Sequence, residues 1–133
     1  MLYIARTIPD LEIYLQQLPA NASIGFVPTM GALHRGHLDL VKASRMKCSC
    51  TVVSIFVNPS QFNDKNDLEK YPRPIGKDIE LLTLAGADVL FLPELQSIYP
   101  KGLDVRISVN FGNLFQVHEG EFRPGHFNGM TEV

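Results

Sequence analysis

Three short runs of the chain are apolar almost throughout and rich in β-branched side chains: Ser23-Ile-Gly-Phe-Val27, Cys50-Thr-Val-Val-Ser-Ile-Phe-Val57 and Ala87-Asp-Val-Leu-Phe-Leu-Pro93. Runs of that length without polar alternation predict strands buried on both faces, as in a parallel sheet. Between them apolar residues recur at helical spacing. Leu11, Tyr14, Leu15 and Leu18 form one stripe, opened by a capping-box pattern at Thr7 to Asp10 and stopped by Pro19. Leu38, Val41 and Met46 form a second, from just after His37 to about Lys47, with Asp39, Lys42, Arg45 and Lys47 outward. Ile75, Ile79 and Leu82 form a third, with Gly86 placed to cap its end.

Alternating strands and helices predict an α/β fold, a Rossmann-like parallel sheet of three strands with flanking helices. The remaining segments are less regular. Residues 63–70 read as a polar loop with a short helix, the prolines of Tyr71-Pro-Arg-Pro74 break regular helix, and residues 94–99 form a short helix at best. Residues 105–109 read as an edge strand and 112–118 as a turn or two of helix.

At 133 residues the chain fits one domain with a real core, and 45% hydrophobic against 20% charged residues is an ordinary globular composition. The net charge of -2 gives no global basic field for nucleic acid or an anionic membrane, so any anion site must be local. Cys48 and Cys50 are spaced poorly for an unstrained disulfide, which favours a reducing, cytoplasmic setting. The first residues do not read as a signal peptide, and no apolar run reaches the roughly 18 residues of a membrane span.

The candidate chemistry gathers where the first strand passes into the second helix. Pro28-Thr-Met-Gly-Ala-Leu-His34-Arg-Gly-His37 puts two imidazoles and two glycines at one turn. A Gly-containing turn that opens a helix leaves backbone N–H groups and the positive end of the helix dipole facing outward, a seat for phosphate. His34 and His37, three apart, would face one side as donors, and Gly36 would let a flat ligand near the backbone. The pair also reads as two ordinary helix-start polar residues, or as half a zinc site; zinc would need further ligands, and the cysteines fall at the opposite end of the next strand. Strand ends in such sheets line one crevice, which brings Gln61 into consideration beside the turn. By default Gln61 is a polar turn residue, and Tyr71, Arg73 and Lys77 are solvated surface. Arg123 and His126, around Pro124-Gly125, read either as a lid over the site or as surface.

Four blocks taken together resemble one family. Pro28-Thr-Met-Gly-Ala-Leu-His-x-Gly-His37, Ser54-Ile-Phe-Val-Asn-Pro-x-Gln-Phe62, Asp67-Leu-x-x-Tyr-Pro-Arg73 and Glu119-Gly-x-x-Arg-Pro-Gly-His-Phe-x-Gly-Met130 resemble pantothenate synthetases (pantoate–β-alanine ligases) in order and spacing. His-x-Gly-His by itself marks only the wider nucleotidyltransferase superfamily. The resemblance implies that ATP and pantoate give pantoyl adenylate and pyrophosphate, and that β-alanine then attacks to give pantothenate and AMP, with Mg²⁺ accompanying ATP. It implies an ATP-binding run of Met30, Gly31, Ala32, Leu33, His34, Arg35, Gly36 and His37, with both histidines on the triphosphate as imidazolium donors and His37 the catalytic proton donor. Gln61 would hold pantoate and meet β-alanine, while Pro28, Met30, Phe62 and Met130 would wall pantoate's methyl groups. A homodimer is implied, and no dedicated protein metal site.

Three departures qualify it. Arg35 stands where the family has glutamate, and Glu132 where it tends to have threonine. Family members run to roughly twice this length, and their later Gly-Glu-Lys-Asp-like, glutamine and Lys-Met-Ser-Lys-Ser-like segments are absent. The expectation is therefore that residues 1–133 are an amino-terminal Rossmann-like nucleotide-binding domain, incomplete and without the family's carboxy-terminal domain, with little activity alone. The alternatives are another enzyme with the same His-x-Gly-His motif and a non-catalytic nucleotide-binding or dimerisation fragment.

Overall fold

The computed structural model describes residues 1–62 and 64–102. Two compact units divide the chain, one of residues 1–56 and 72–97, the other of 57–71 and the chain from 98.

The first unit holds the sheet. Its strands are β1 (Tyr3–Ala5), β2 (Ile24–Thr29), β3 (Cys50–Ile55) and β4 (Val89–Phe91), all parallel in the order β1-β4-β3-β2. The helices α1 (Ile8–Gln16) and α2 (Arg35–Lys47) precede and follow β2. A short α3 (Lys65–Lys70) lies in the second unit, and α4 (Ile75–Ala85) and α5 (Leu95–Ile98) flank β4 in sequence. The three expected strands are present, in a four-stranded sheet. The added strand, β1, has only three residues, too few to show a periodicity, and it forms by pairing with β4 from the far end of the unit. The expected strand at 105–109 and the helix at 112–118 lie outside the described residues.

Every residue of β3 is buried, as its unbroken apolar run requires of a central strand. Val27, Val53, Ile55 and Leu90 form one core with Val41 of α2 and Leu82 of α4, so those two helices cover one face of the sheet. On the other face Tyr3 stacks on Tyr14 of α1, ring centroids 4.9 Å apart. The row that Tyr3 shares with Val89 and Val52 ends on Phe26 at the edge of the sheet, where Phe26 is 60% exposed and Ile24 is exposed as well.

Three local expectations are corrected. β2 continues through Pro28 instead of stopping before it, because β2 is an edge strand, where a missing N–H costs no ladder bond on the open side. β3 ends at Ile55, short of Val57. Met46 does not point inward but is 72% exposed, since the inner face of α2 runs through Val41 and Ser44 toward β2 and β3. The capping box at α1 is as expected: Thr7 Oγ1 accepts from the Asp10 N–H at 3.2 Å, and Asp10 accepts from the Thr7 N–H at 3.0 Å. Both cysteines are free thiols. Among the described residues no helix is long and apolar enough to cross a membrane.

Candidate functional site

At the carboxyl end of β2 the chain must turn sharply to start α2. Thr29 Oγ1 donates to the Ser54 carbonyl at 2.9 Å and accepts from the Gly31 N–H at 3.2 Å, pinning the start of the turn to β3. Gly31 and Ala32 both take positive φ, +82° and +51°. Gly31 has a second reason to lack a side chain, since a Cβ there would stand 3.0 Å from Ile55 Cγ2 and 3.2 Å from Asp78 Oδ2. Ala32 has no such exemption from strain and is held in place. Asp78 of α4, 1% exposed, accepts from the Ala32 N–H at 2.9 Å and the Leu33 N–H at 2.8 Å, one oxygen to each. Leu33 then drops into the core.

The imidazoles follow directly. α2 begins at Arg35, earlier than expected, with His34 as its N-cap and His37 at the third helical position. His34 Nδ1 accepts from the Gly36 N–H at 3.1 Å, and His37 Nδ1 accepts from the His34 N–H at 3.2 Å, so the two rings form a capping box usually made by Ser or Thr with Glu. Their centroids are 4.0 Å apart. The atom nearest a Cβ at Gly36 would be His34 Cε1 at 3.0 Å. What Gly36 admits close to the backbone is therefore the protein's own imidazole.

These bonds fix the protonation pattern. A ring nitrogen that accepts carries no proton, so each neutral ring holds its proton on Nε2 and presents an Nε2–H donor. Burial, then the neighbouring His34, push the His37 imidazole below its ordinary 6.5, against a smaller opposite pull from Asp78. For His37 this shift favours the neutral ring, whose Nδ1 can keep accepting from the His34 N–H. Among the described residues the Arg35 N–H donates to no partner, while the capping box pairs the His37 N–H with the His34 ring, leaving one backbone donor beside the two Nε2–H groups.

Met30, Gly31, Ala32, Leu33, His34, Arg35, Gly36 and His37 are thus one continuous turn and helix start, with the Arg35 side chain exposed and Met30 half-buried. Pro28 lies on the exposed side of β2. In the second unit Gln61 is 7% exposed, in a single 3₁₀ turn of Pro59–Gln61. Asn58 Oδ1 organises that turn, accepting from the Ser60 N–H at 3.2 Å, the Ser60 hydroxyl at 2.8 Å and the Tyr99 hydroxyl at 2.8 Å. Phe62 meets Tyr71 edge-on, centroids 5.5 Å apart. Arg73 and Lys77 are exposed, as expected of solvated surface. Met130, Arg123, His126 and Glu132 lie outside the described residues.

Sequence reasoning passed over Asp78 and Thr29. The signal for Asp78 was present: it falls between Ile75 and Ile79 on the stripe that continues to Leu82, a carboxylate on an apolar face. Such a group is rarely buried without partners.

The chain is similar in sequence and fold to known proteins. The pantoate-beta-alanine ligase family model matches residues 3–133. Pantothenate synthetases of Aquifex aeolicus and Bacteroides fragilis are 47% and 50% identical, over 96% and 98% of this chain and 45% and 46% of theirs. The crystal structure of pantoate-beta-alanine ligase from Francisella tularensis, complexed with beta-gamma ATP and beta-alanine, superposes with a TM-score of 0.91 at 42% identity, over 99% of this chain and 50% of that one. Pantothenate synthetase from Thermus thermophilus gives 0.83 at 43% identity, covering 98% and 45%. The chain spans about half the length of the curated relatives it matches. It belongs to the pantoate–β-alanine ligase family.

Proposed function

We propose that this chain supplies the ATP-binding side of an enzyme that condenses pantoate with β-alanine through a pantoyl adenylate, releasing pyrophosphate and then AMP. The observation that carries this reading is the paired Nε2–H donors of His34 and His37 beside the unpaired N–H of Arg35 at the start of α2. Attack of a carboxylate on the α-phosphorus builds negative charge on the departing pyrophosphate, and donors already fixed in the fold stabilise it without reorganising. His37 donates a hydrogen bond to that oxygen from Nε2, and in its protonated form it is the catalytic proton donor. No side-chain nucleophile is required.

In this reading Gln61 orients pantoate's polar groups and lies near incoming β-alanine, and Pro28, Met30, Phe62 and Met130 wall its methyl groups. Arg123 and His126 are candidates for a lid over the site and lie outside the described residues. Magnesium enters with ATP. Among the described residues no three His, Cys, Asp or Glu side chains are grouped to hold an ion themselves, and no step here is routed through it. We further infer a homodimer working in the cytoplasm, where free thiols such as Cys48 and Cys50 persist. We assign residues 1–133 to the nucleotide-binding domain of such an enzyme; they span about half the length of the curated relatives.

The test is pantoate-dependent ATP–pyrophosphate exchange in this chain and in one extended with the relatives' remaining half. Exchange in the extended chain, lost on His37→Ala, supports the reading. A folded extended chain that exchanges with a phosphorylated acceptor instead of pantoate would show another member of the nucleotidyltransferase superfamily, and no exchange with either would leave only a nucleotide-binding fragment.

A further inference from the structure

We infer that Asp78 is a positioning residue: from inside α4 it holds the Gly31–Ala32–Leu33 turn in its left-handed course and so aims the His34/His37 pair. A carboxylate buried this deeply costs free energy that a leucine at the same place on the Ile75, Ile79, Leu82 face would not. That cost is offset by two charge-assisted bonds, both to N–H groups of the strained turn, at 2.9 and 2.8 Å. Ala32, at φ +51°, is the one non-glycine residue with positive φ among those described, and its N–H is one of the two that Asp78 takes. The next N–H along the chain is bonded to Asp78, and the one after that, on His34, is bonded to His37 Nδ1. The carboxylate, the turn and the two rings therefore form one connected set. Releasing the first two bonds frees Ala32 to relax to negative φ, which rotates His34 away from the start of α2.

The use of this set for ATP rests on the function proposed above; the hold on the turn does not. In the unaltered chain, amide hydrogens of Ala32 and Leu33 should exchange more slowly than that of Arg35. Equal rates overturn the inference whether or not any variant folds. Asp78→Asn keeps the shape but turns one acceptor into a donor. In the folded variant, long-range ¹H–¹⁵N spectra should show His34 and His37 losing their single Nε2–H tautomer, and affinity for ATP with magnesium should fall about tenfold, as loss of one charge-assisted bond predicts. Adding Ala32→Gly, which lets the turn take positive φ without strain, should restore part of both. A role confined to core stability would not be rescued this way. Imidazole spectra unchanged by Asp78→Asn overturn the inference. If the unaltered chain binds no ATP while its imidazoles still respond to Asp78→Asn, the nucleotide reading fails and the positioning role stands.

Discussion

Each imidazole at the start of α2 does two jobs with two nitrogens. Nδ1 completes the backbone of the helix start, and Nε2 faces outward with the proton. Because the fold favours neutral His37, the ring's contribution to stability is complete above 6.5 and is lost as pH falls through its lower folded value. NMR titration of the His37 Cε1–H should give a midpoint below 6.5, and a midpoint at or above it would contradict the capping geometry. Gly36→Ala separates the two jobs. Alanine is the better helix former by about 0.5–1 kcal/mol, so the melting temperature should hardly fall, whereas a Cβ pressed against His34 should weaken ATP binding severalfold. A variant that binds ATP as the parent does would show that the His34 ring need not sit where it does.

At the scale of elements, much was legible because periodicity and punctuation agree. The α1 capping box, the all-buried β3 run and the Gly86 cap of α4 each combine a pattern with a boundary residue, and each formed near its expected limits. β1 was not legible, since three residues carry no period and their pairing with β4 is non-local. The imidazole cap was missed for another reason: histidine is not an expected capping residue, and only its geometry shows Nδ1 standing in for a hydroxyl. Asp78 was readable as an anomaly but not as an answer, because its partners lie more than forty residues away in the chain. Packing of α4 on the sheet gives a direct check. Leu82 is fully buried, so Leu82→Ala should cost about 2–5 kcal/mol in denaturant unfolding. A loss under about 1 kcal/mol would mean that α4 is far less firmly seated than its burial implies.

For the molecule as a whole, the sheet is covered unevenly. Ile24 and Phe26 leave an apolar strip on an edge strand, next to backbone groups that no strand pairs among the described residues. An open, apolar edge invites pairing with another chain. Phe26→Lys should therefore reduce concentration-dependent association in sedimentation velocity while leaving the unfolding free energy within about 0.5 kcal/mol, the usual range for a surface change. Association unaffected by the substitution would place the contact elsewhere.

The two helices that open on capping boxes also answer acid in a definite order. The cap of α2 is made of imidazoles, while that of α1 depends on the Asp10 carboxyl, which Thr7 draws below its ordinary 3.8. As protons are added, the first turn of α2 should fray as the pH falls through the His37 value below 6.5 while α1 stays wound, and α1 should follow only in strong acid. The start of α2 would then respond to acid well before the fold around it, so a change of pH would act on the candidate phosphate seat in a chain that is otherwise still native.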